Sequence, residues 1–447
     1  MLRVMKNPLR EQYEKAQQLG KLAFAERPYF GSPAAPAQAE TNASQIWGHI
    51  NSGFLIGYEY SRWWKESLAL RQAAVLGDWS WLNKTRVRGK DAARLMDYAT
   101  IRDLSRQQVG QIVHTPMLSE QGKVAIEGLT LKVGEDEYLF TQSASYRWLD
   151  FLRQKKDFQV ELEDVTPDYT CYALQGPRST EILEALTGES WKDLKFSRFR
   201  SIEFEKTKTI VARQGVTGEV GYEFMMRTDT GRAHELWRKL REVGRDFGLR
   251  ELGFKAQMIG HTETGIATVI RDYLPDRGTP EQLKKMMRYW MSVEELDAAD
   301  WQVADHLCTP EELGWQYKIN PEKDFLGKSA LQAPKYRLMG LEWSSEDMAE
   351  LYAAQFRDAP SAPPPDLPAG QFRVFFMRVL EGGWASGYAY SPTLRRMISL
   401  ARLDKRIQPG DKVQVRWGGF SDEPACTIRA TVRALPFIAQ QRTKTLS

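Results

Sequence analysis

The stretch Gln214 to Phe224 reads QGVTGEVGYEF, a glycine-punctuated turn that runs into an alternating segment. In a strand, successive side chains point to opposite faces, so Glu223 is parted from Tyr222 and Phe224 and shares its face with Met225. A carboxylate on an apolar face is costly unless it meets hydrogen-bond donors. Glu223 is therefore either a core or edge glutamate satisfied by its own chain or a group that receives a ligand with paired N–H donors. Glu219, in the turn, is expected to be solvated.

Outward from this turn, Lys208 to Arg227 forms a hairpin. Upstream, Lys123 to Gln142 forms another, two alternating runs around the acidic turn GEDE. Tyr169 to Leu174 reads as a strand that Gln175-Gly176-Pro177 turns into a helix from about Arg178. Further helices are expected at Leu9–Glu26, around Tyr60–Leu68, at Ala144–Lys155 and at Ala233–Gly248. Past Leu338 the text changes to short strands: Leu338–Trp343, Arg373–Glu381, Trp384–Tyr390, Ile398–Arg402, Lys412–Trp417 and Thr427–Ala434. These spacings suit a small barrel or jelly roll. Ser32–Thr41 and Asp358–Pro368, rich in Ala and Pro, read as surface excursions. The fold class expected is α+β, divided into a helical extension and linker (1–50), a two-lobed region (51–334) and a C-terminal barrel (335–447).

The 447 residues suffice for roughly two to four folding units. With 42% hydrophobic and 27% charged residues the chain is neither disordered nor fibrous. Lys+Arg 62 against Asp+Glu 58 lacks the basic excess of a dedicated nucleic-acid binder, so no nucleic-acid partner is expected. No apolar run reaches the ~18 residues of a membrane span, and the charged start lacks a secretory h-region, so no membrane partner and a cytoplasmic location are expected. Cys171, Cys308 and Cys426 form no CxxC pair and are expected to be buried small hydrophobes. None of the five histidines is paired at metal-ligand spacing, so no metal is expected. Phosphate-loop, GxGxxG and GxSxG motifs are absent, which leaves the chemistry to carboxylates and aromatics.

The amide edge of a pterin, a ring N–H beside an amino group, would give Glu223 two parallel donors. TGEVGYEF also resembles the TGE-x-G-aromatic-E signature of the glycine-cleavage T-protein (aminomethyltransferase) family of tetrahydrofolate-dependent enzymes. Other segments agree in order: Leu70–Gly89 with its Asp78, the ALQGP turn at Ala173–Pro177, LGWQYKINPEKDFLGKSAL at Leu313–Leu331, GYAYSPTLRRMISLAR at Gly387–Arg402, and the closing Pro436-Phe437. The resemblance spans about Gly57 to Phe437. It implies a three-domain cloverleaf around a central folate channel, with the barrel as one lobe, and tetrahydrofolate as cofactor, bound by Glu223 with Tyr222 and Glu127 beside it.

Departures from the family pattern bear on the one-carbon donor. Glu127 stands where the family has an aspartate near the folate nitrogen. As a strand residue it would share its face with Leu129 and Leu131, and desolvation would raise its pKa. His114 replaces a tyrosine and His261 falls near an arginine, so a protein-bound aminomethyl-lipoyl substrate is disfavoured. The chain looks closer to the branch that demethylates lignin-derived methoxybenzoates such as vanillate. There, Trp81, Gln142 and Gln257 replace a substrate-side histidine, a channel arginine and a tyrosine near the leaving phenol. The KGCY-x-GQE signature of non-catalytic iron–sulfur relatives is missing. The resemblance thus implies a methyltransferase that moves a methyl group from an aromatic ether to N5 of tetrahydrofolate, acting as a monomer or homodimer on a small-molecule methyl donor. Glu127, His114 and Gln257 are its catalytic candidates; Trp81, Gln142 and His261 are its substrate contacts. A sulfonium donor, an N-methyl amine donor and a non-catalytic folate module are the alternatives.

Overall fold

A computed structural model describes residues 7–18, 30–49, 53–142, 145–288, 291, 301–368, 376–419 and 424–446. The alternating segment of the signature is the strand Gly221–Met226 of a six-stranded sheet. It lies between Thr207–Ala212 and Tyr172–Gln175, and the sheet continues through Ala74–Asp78 to Leu249–Leu252, which alone runs parallel to its neighbour. All six residues of the central strand are buried, because each face is covered by a different layer. On one face Tyr222, Phe224 and Met226 pack with Ile182, Leu236, Trp237 and Leu240 of the helices Ser179–Thr187 and Ala233–Gly244. The helix at Ser179 follows a turn in which Gly176 takes φ +122°, and a Cβ there would lie 2.7 Å from the Ala73 carbonyl oxygen.

The opposite face meets a second sheet, ordered Glu161–Asp164, Lys84–Arg88, Glu137–Thr141, Leu129–Gly134 and Ile112–His114. Ile112, Leu131 and Leu139 from that sheet interleave with Cys171, Ala173, Ala212 and Met225 from the first. The expected hairpin is present at Leu129–Thr141, but its first arm is shorter than the sequence suggests. Val124–Ile126 pairs instead with Met117–Leu118, and Glu127-Gly128 is the break between the two pairings.

The last lobe is a sheet ordered Met377–Arg378, Gly383–Ser391, Arg396–Asp404, Tyr336–Trp343, Ala425–Arg433 and Lys412–Gly418. A bridge between Val379 and Val415 nearly closes it into a barrel, around a core that includes Trp343, Val415 and Trp417. Residues 440–446 run back to the signature turn. The Gln441 N–H donates to the Gly218 carbonyl at 2.6 Å, Arg213 donates to the Lys444 carbonyl, and Leu446 packs on the core under Tyr222.

Some expectations are corrected. The segment at Ser32–Thr41 is not an excursion: it contains the helix Ala35–Ala39, and Ala34, Ala37 and Gln38 are fully buried. Ser32 and Gln38 donate to Asp78, which ties this segment to the central sheet. The helix expected at Tyr60 begins at Trp63, and Trp64 is exposed because Ala69 and Leu70 form the packed face. The N-terminal helix spans Pro8–Gln18; its expected continuation to Glu26 lies outside the described residues. Cys426 is only half-buried, at the edge of the barrel. No described helix is long and apolar enough to cross a membrane.

Candidate functional site

Glu223 stands on the inter-sheet face with Ala212 and Ala173 as its register partners, so small neighbours flank a long side chain. It is 4% exposed, and its Oε2 accepts a weak bond from the Cys171 thiol at 3.9 Å. Burial pushes its pKa up to about 7, against smaller lowering effects of Cys171 and the Lys84 ammonium. Lys84 is itself fully buried, with Nζ donating to the carbonyls of Ser80 at 3.0 Å and Leu82 at 2.8 Å. A buried carboxyl with one thiol partner, set between alanines, suits an outside group that brings two N–H donors. Tyr222 does not join it. Alternation turns Tyr222 to the helix-covered face, where its hydroxyl bonds Thr180 at 2.9 Å, so its side chain is part of the core on the face opposite Glu223.

Glu127 lies in the break between strands, not in strand alternation with Leu129 and Leu131. Its Oε1 accepts from Gln142 Nε2 at 2.9 Å and its Oε2 bonds His114 Nε2 at 2.8 Å. His114 sits at the end of the strand Ile112–His114, paired with Leu129, and its other ring nitrogen faces Lys318 Nζ. As an ammonium Lys318 can only donate, so in that form His114 Nδ1 accepts and the neutral ring donates from Nε2 to the carboxylate. Burial lowers the His114 pKa and keeps the ring neutral, although Glu127 opposes this. The expected rise of the Glu127 pKa is corrected as well. Desolvation does push it up, but the His114 and Gln142 bonds and the Lys318 charge outweigh it, and the carboxyl ends below its usual range.

Gly128 makes this arrangement possible. A Cβ there would lie 2.1 Å from the Thr141 carbonyl oxygen and 2.7 Å from the Gln142 Cβ. Gly128→Ala is expected to push the two strand ends apart and to destabilise the protein by about 1–3 kcal/mol, read as a lower urea midpoint. The same substitution should weaken the Gln142–Glu127 bond.

Lys318 was missed by sequence reasoning. It lies in the 3₁₀ turn Gln316–Lys318 just after Gly314-Trp315, inside a segment whose resemblance to the family gives this lysine no role. Its Nζ is 5.3 Å from the ring centres of both Trp315 and Tyr317. Trp315 stands edge-on to His114 at 5.1 Å and to Tyr273 at 6.1 Å. The Tyr273 hydroxyl is buried without a hydrogen-bond partner.

The remaining candidates group elsewhere. Phe254, Gln257 and His261 recur at helical spacing along Phe254–Glu263, and Trp81 stands edge-on to Phe254 at 6.4 Å. Gln257 is buried, and His261 bonds Thr268 through Nδ1 at 2.9 Å while its buried Nε2 has no partner. Burial, with the Arg271 charge, pushes its pKa down to about 3, so His261 is a neutral imidazole.

The signature's other carboxylate is structural. Glu219 is buried, because Arg71 Nη1 donates to it at 2.8 Å and to the Thr217 carbonyl at 2.8 Å. Arg71 also forks onto the fully buried Glu263 at 2.9 and 2.6 Å, and Ser391 donates to the same carboxylate at 2.6 Å. Three of the segments that resemble the family thus meet in one buried network. No cluster of three or more His, Cys, Asp or Glu placed to hold a metal occurs among the described residues.

The family described as GCVT N-terminal domain matches residues 48–282. The chain is 27% identical over 420 residues to a sesamin methylene transferase of Sinomonas sp. (strain No.22), covering 85% of this chain and 89% of that one. It is likewise 27% identical over 364 residues to an aminomethyltransferase of Alkaliphilus metalliredigens, covering 78% and 84%. The crystal structure of the glycine cleavage system aminomethyltransferase T from Bartonella henselae superposes with TM-score 0.69 over 93% of this chain and 99% of that one, at 18% identity, which is a likeness of fold.

Proposed function

The chain belongs to the family of the GCVT N-terminal domain, and from that membership we propose that it is a demethylase that moves a methyl group from an aromatic methyl ether to tetrahydrofolate and releases a phenol. Enzymes of this family transfer aminomethyl or methyl units to tetrahydrofolate. When bound, that cofactor supplies the nucleophilic nitrogen. The residues present fit it: Glu223 is a buried carboxyl short of donors, on a face whose neighbours are alanines.

The observation that carries the aryl-ether reading is the line Lys318–His114–Glu127, which joins a cation to a carboxylate through a neutral imidazole. A phenolate leaves poorly, since its conjugate acid has a pKa near ~10, and the ether oxygen must gain a proton as the methyl departs. A sulfonium donor makes no such demand. Glu127, ionised at rest and steadied by Gln142, takes up the proton that the acceptor nitrogen sheds. Trp315 and Tyr273 give this group aromatic walls suited to a flat, small-molecule donor. The relative named for transfer of a methylene group supports a donor other than a protein-bound aminomethyl group.

The test is incubation of the protein with tetrahydrofolate and a panel of methoxyarenes, dimethyl sulfonium compounds and N-methyl amino acids, with folates and phenols resolved by mass spectrometry. Equimolar 5-methyltetrahydrofolate and phenol from a methoxyarene is the expected result. Product from a sulfonium or an N-methyl amine alone overturns the ether reading, and no product from any donor favours a folate-binding module.

A further inference from the structure

We propose that Lys318 stores the proton that Glu127 uses, passing it through His114, and so acts as a positioning residue for the transfer chemistry. This rests on the demethylase reading above. It also answers a difficulty within it: Glu127 is ionised at rest, yet the leaving oxygen needs an acid.

The hydrogen bonds are polarised inward. Lys318 Nζ donates to His114 Nδ1, and His114 Nε2 donates to Glu127 Oε2. Two short proton shifts, Nζ to Nδ1 and Nε2 to Oε2, convert ammonium and carboxylate into amine and carboxylic acid, with the imidazole neutral before and after. Glu127 then gives its proton to the ether oxygen as the methyl–oxygen bond breaks and its electron pair leaves with oxygen. As the new carbon–nitrogen bond forms, Glu127 takes the proton from the nitrogen, and the reverse shifts return it to Lys318. The sum is cofactor plus methyl ether giving methylated cofactor plus phenol, with no co-reactant.

The surroundings of Lys318 suit a store. Desolvation pushes its pKa down to about 7; the Arg102 and Arg442 charges act in the same sense and Glu127 opposes them. His114 faces it on one side and the rings of Trp315 and Tyr317 on the other. Tyr317 is 74% exposed, so the turn that carries the amine reaches solvent. Above about pH 7 the store empties, and turnover is expected to fall as pH rises.

The test has two arms. In protein labelled with ¹⁵N-histidine, with His114 assigned through His114→Gln, the Nδ1 resonance is expected to show an inflection near pH 7 that Lys318→Met and Lys318→Arg both abolish. This arm needs no methyl donor and survives failure of the demethylase reading. In turnover, both variants are expected to lose at least tenfold in kcat and the falling limb above pH 7, with tetrahydrofolate affinity within about twofold of the parent. Arginine keeps the charge but does not release a proton near neutrality. A Lys318→Arg protein with parental rate and limb, or an Nδ1 inflection unchanged in both variants, overturns the proposal.

Discussion

Arg71→Leu is expected to destabilise the protein by about 3–5 kcal/mol. Arg71 and its partner Glu263 are 6% and 0% exposed, and the guanidinium also holds Glu219 and the Thr217 carbonyl. Removing the cation leaves two buried carboxylates facing each other with the Ser391 hydroxyl as the remaining donor to one of them. The penalty comes from the stranded charges more than from the lost attraction, and this can be separated by experiment. Arg71→Leu combined with Glu263→Leu should regain part of the loss, because it removes one of the two stranded carboxylates and leaves Glu219 as the single buried acid without its cation. Urea denaturation of the two variants and the parent checks this. A double variant less stable than Arg71→Leu by the full additive amount contradicts it.

Glu223→Ala is expected to weaken tetrahydrofolate binding by about five- to 160-fold, since unpaired buried donors cost ~1–3 kcal/mol. Titration by fluorescence or calorimetry reads the effect, and unchanged affinity in both Glu223→Ala and Glu223→Gln removes Glu223 from the cofactor site. The pH dependence has a definite sign. With its pKa pushed up to about 7, the empty site holds a protonated carboxyl below neutrality, and that form has lost one acceptor for the paired donors. Affinity should therefore fall as pH drops below about 7, by up to tenfold per unit. The same shift acts oppositely on folding: a carboxyl raised in the folded state favours folding at low pH and loses that contribution as pH rises through about 7. Glu223→Gln should accordingly raise Tm at pH 8 and not at pH 4. A site built for a ligand then shows itself as a local cost in the protein without it.

The strands of the hairpins and of the barrel were legible because they are short β-rich runs that end in turn residues. Glu223 was legible as a carboxylate on an apolar face. What escaped was set by contacts remote in sequence. Glu219 looks like any turn glutamate until Arg71, 148 positions earlier, reaches it. Lys318 looks like a solvated lysine in a loop, and its role depends on His114, 204 positions away. Glu127 misled for a local reason: VAIEGLTL alternates well enough to pass for one strand, whereas the chain breaks at Glu127-Gly128, where a Cβ on residue 128 would lie 2.1 Å from the Thr141 carbonyl oxygen. The sign of its pKa shift followed, because burial alone argues upward while the neighbours that reverse it are visible only after folding.

The return of residues 440–446 to the signature turn sets an order of events during synthesis. Arg213 and Lys444, which bond one another, are 231 positions apart. At about 5–20 residues per second, roughly 10–45 s separate the emergence of the turn from that of the segment that completes it. The central sheet can form within that interval, since its strands lie between Ala74 and Leu252. The turn beneath Gly218 then waits, with its carbonyls and the apolar ground for Leu446 uncovered. In a growing chain the central-sheet lobe is thus one of the first to be built, yet it is sealed only after the strands of the barrel have emerged.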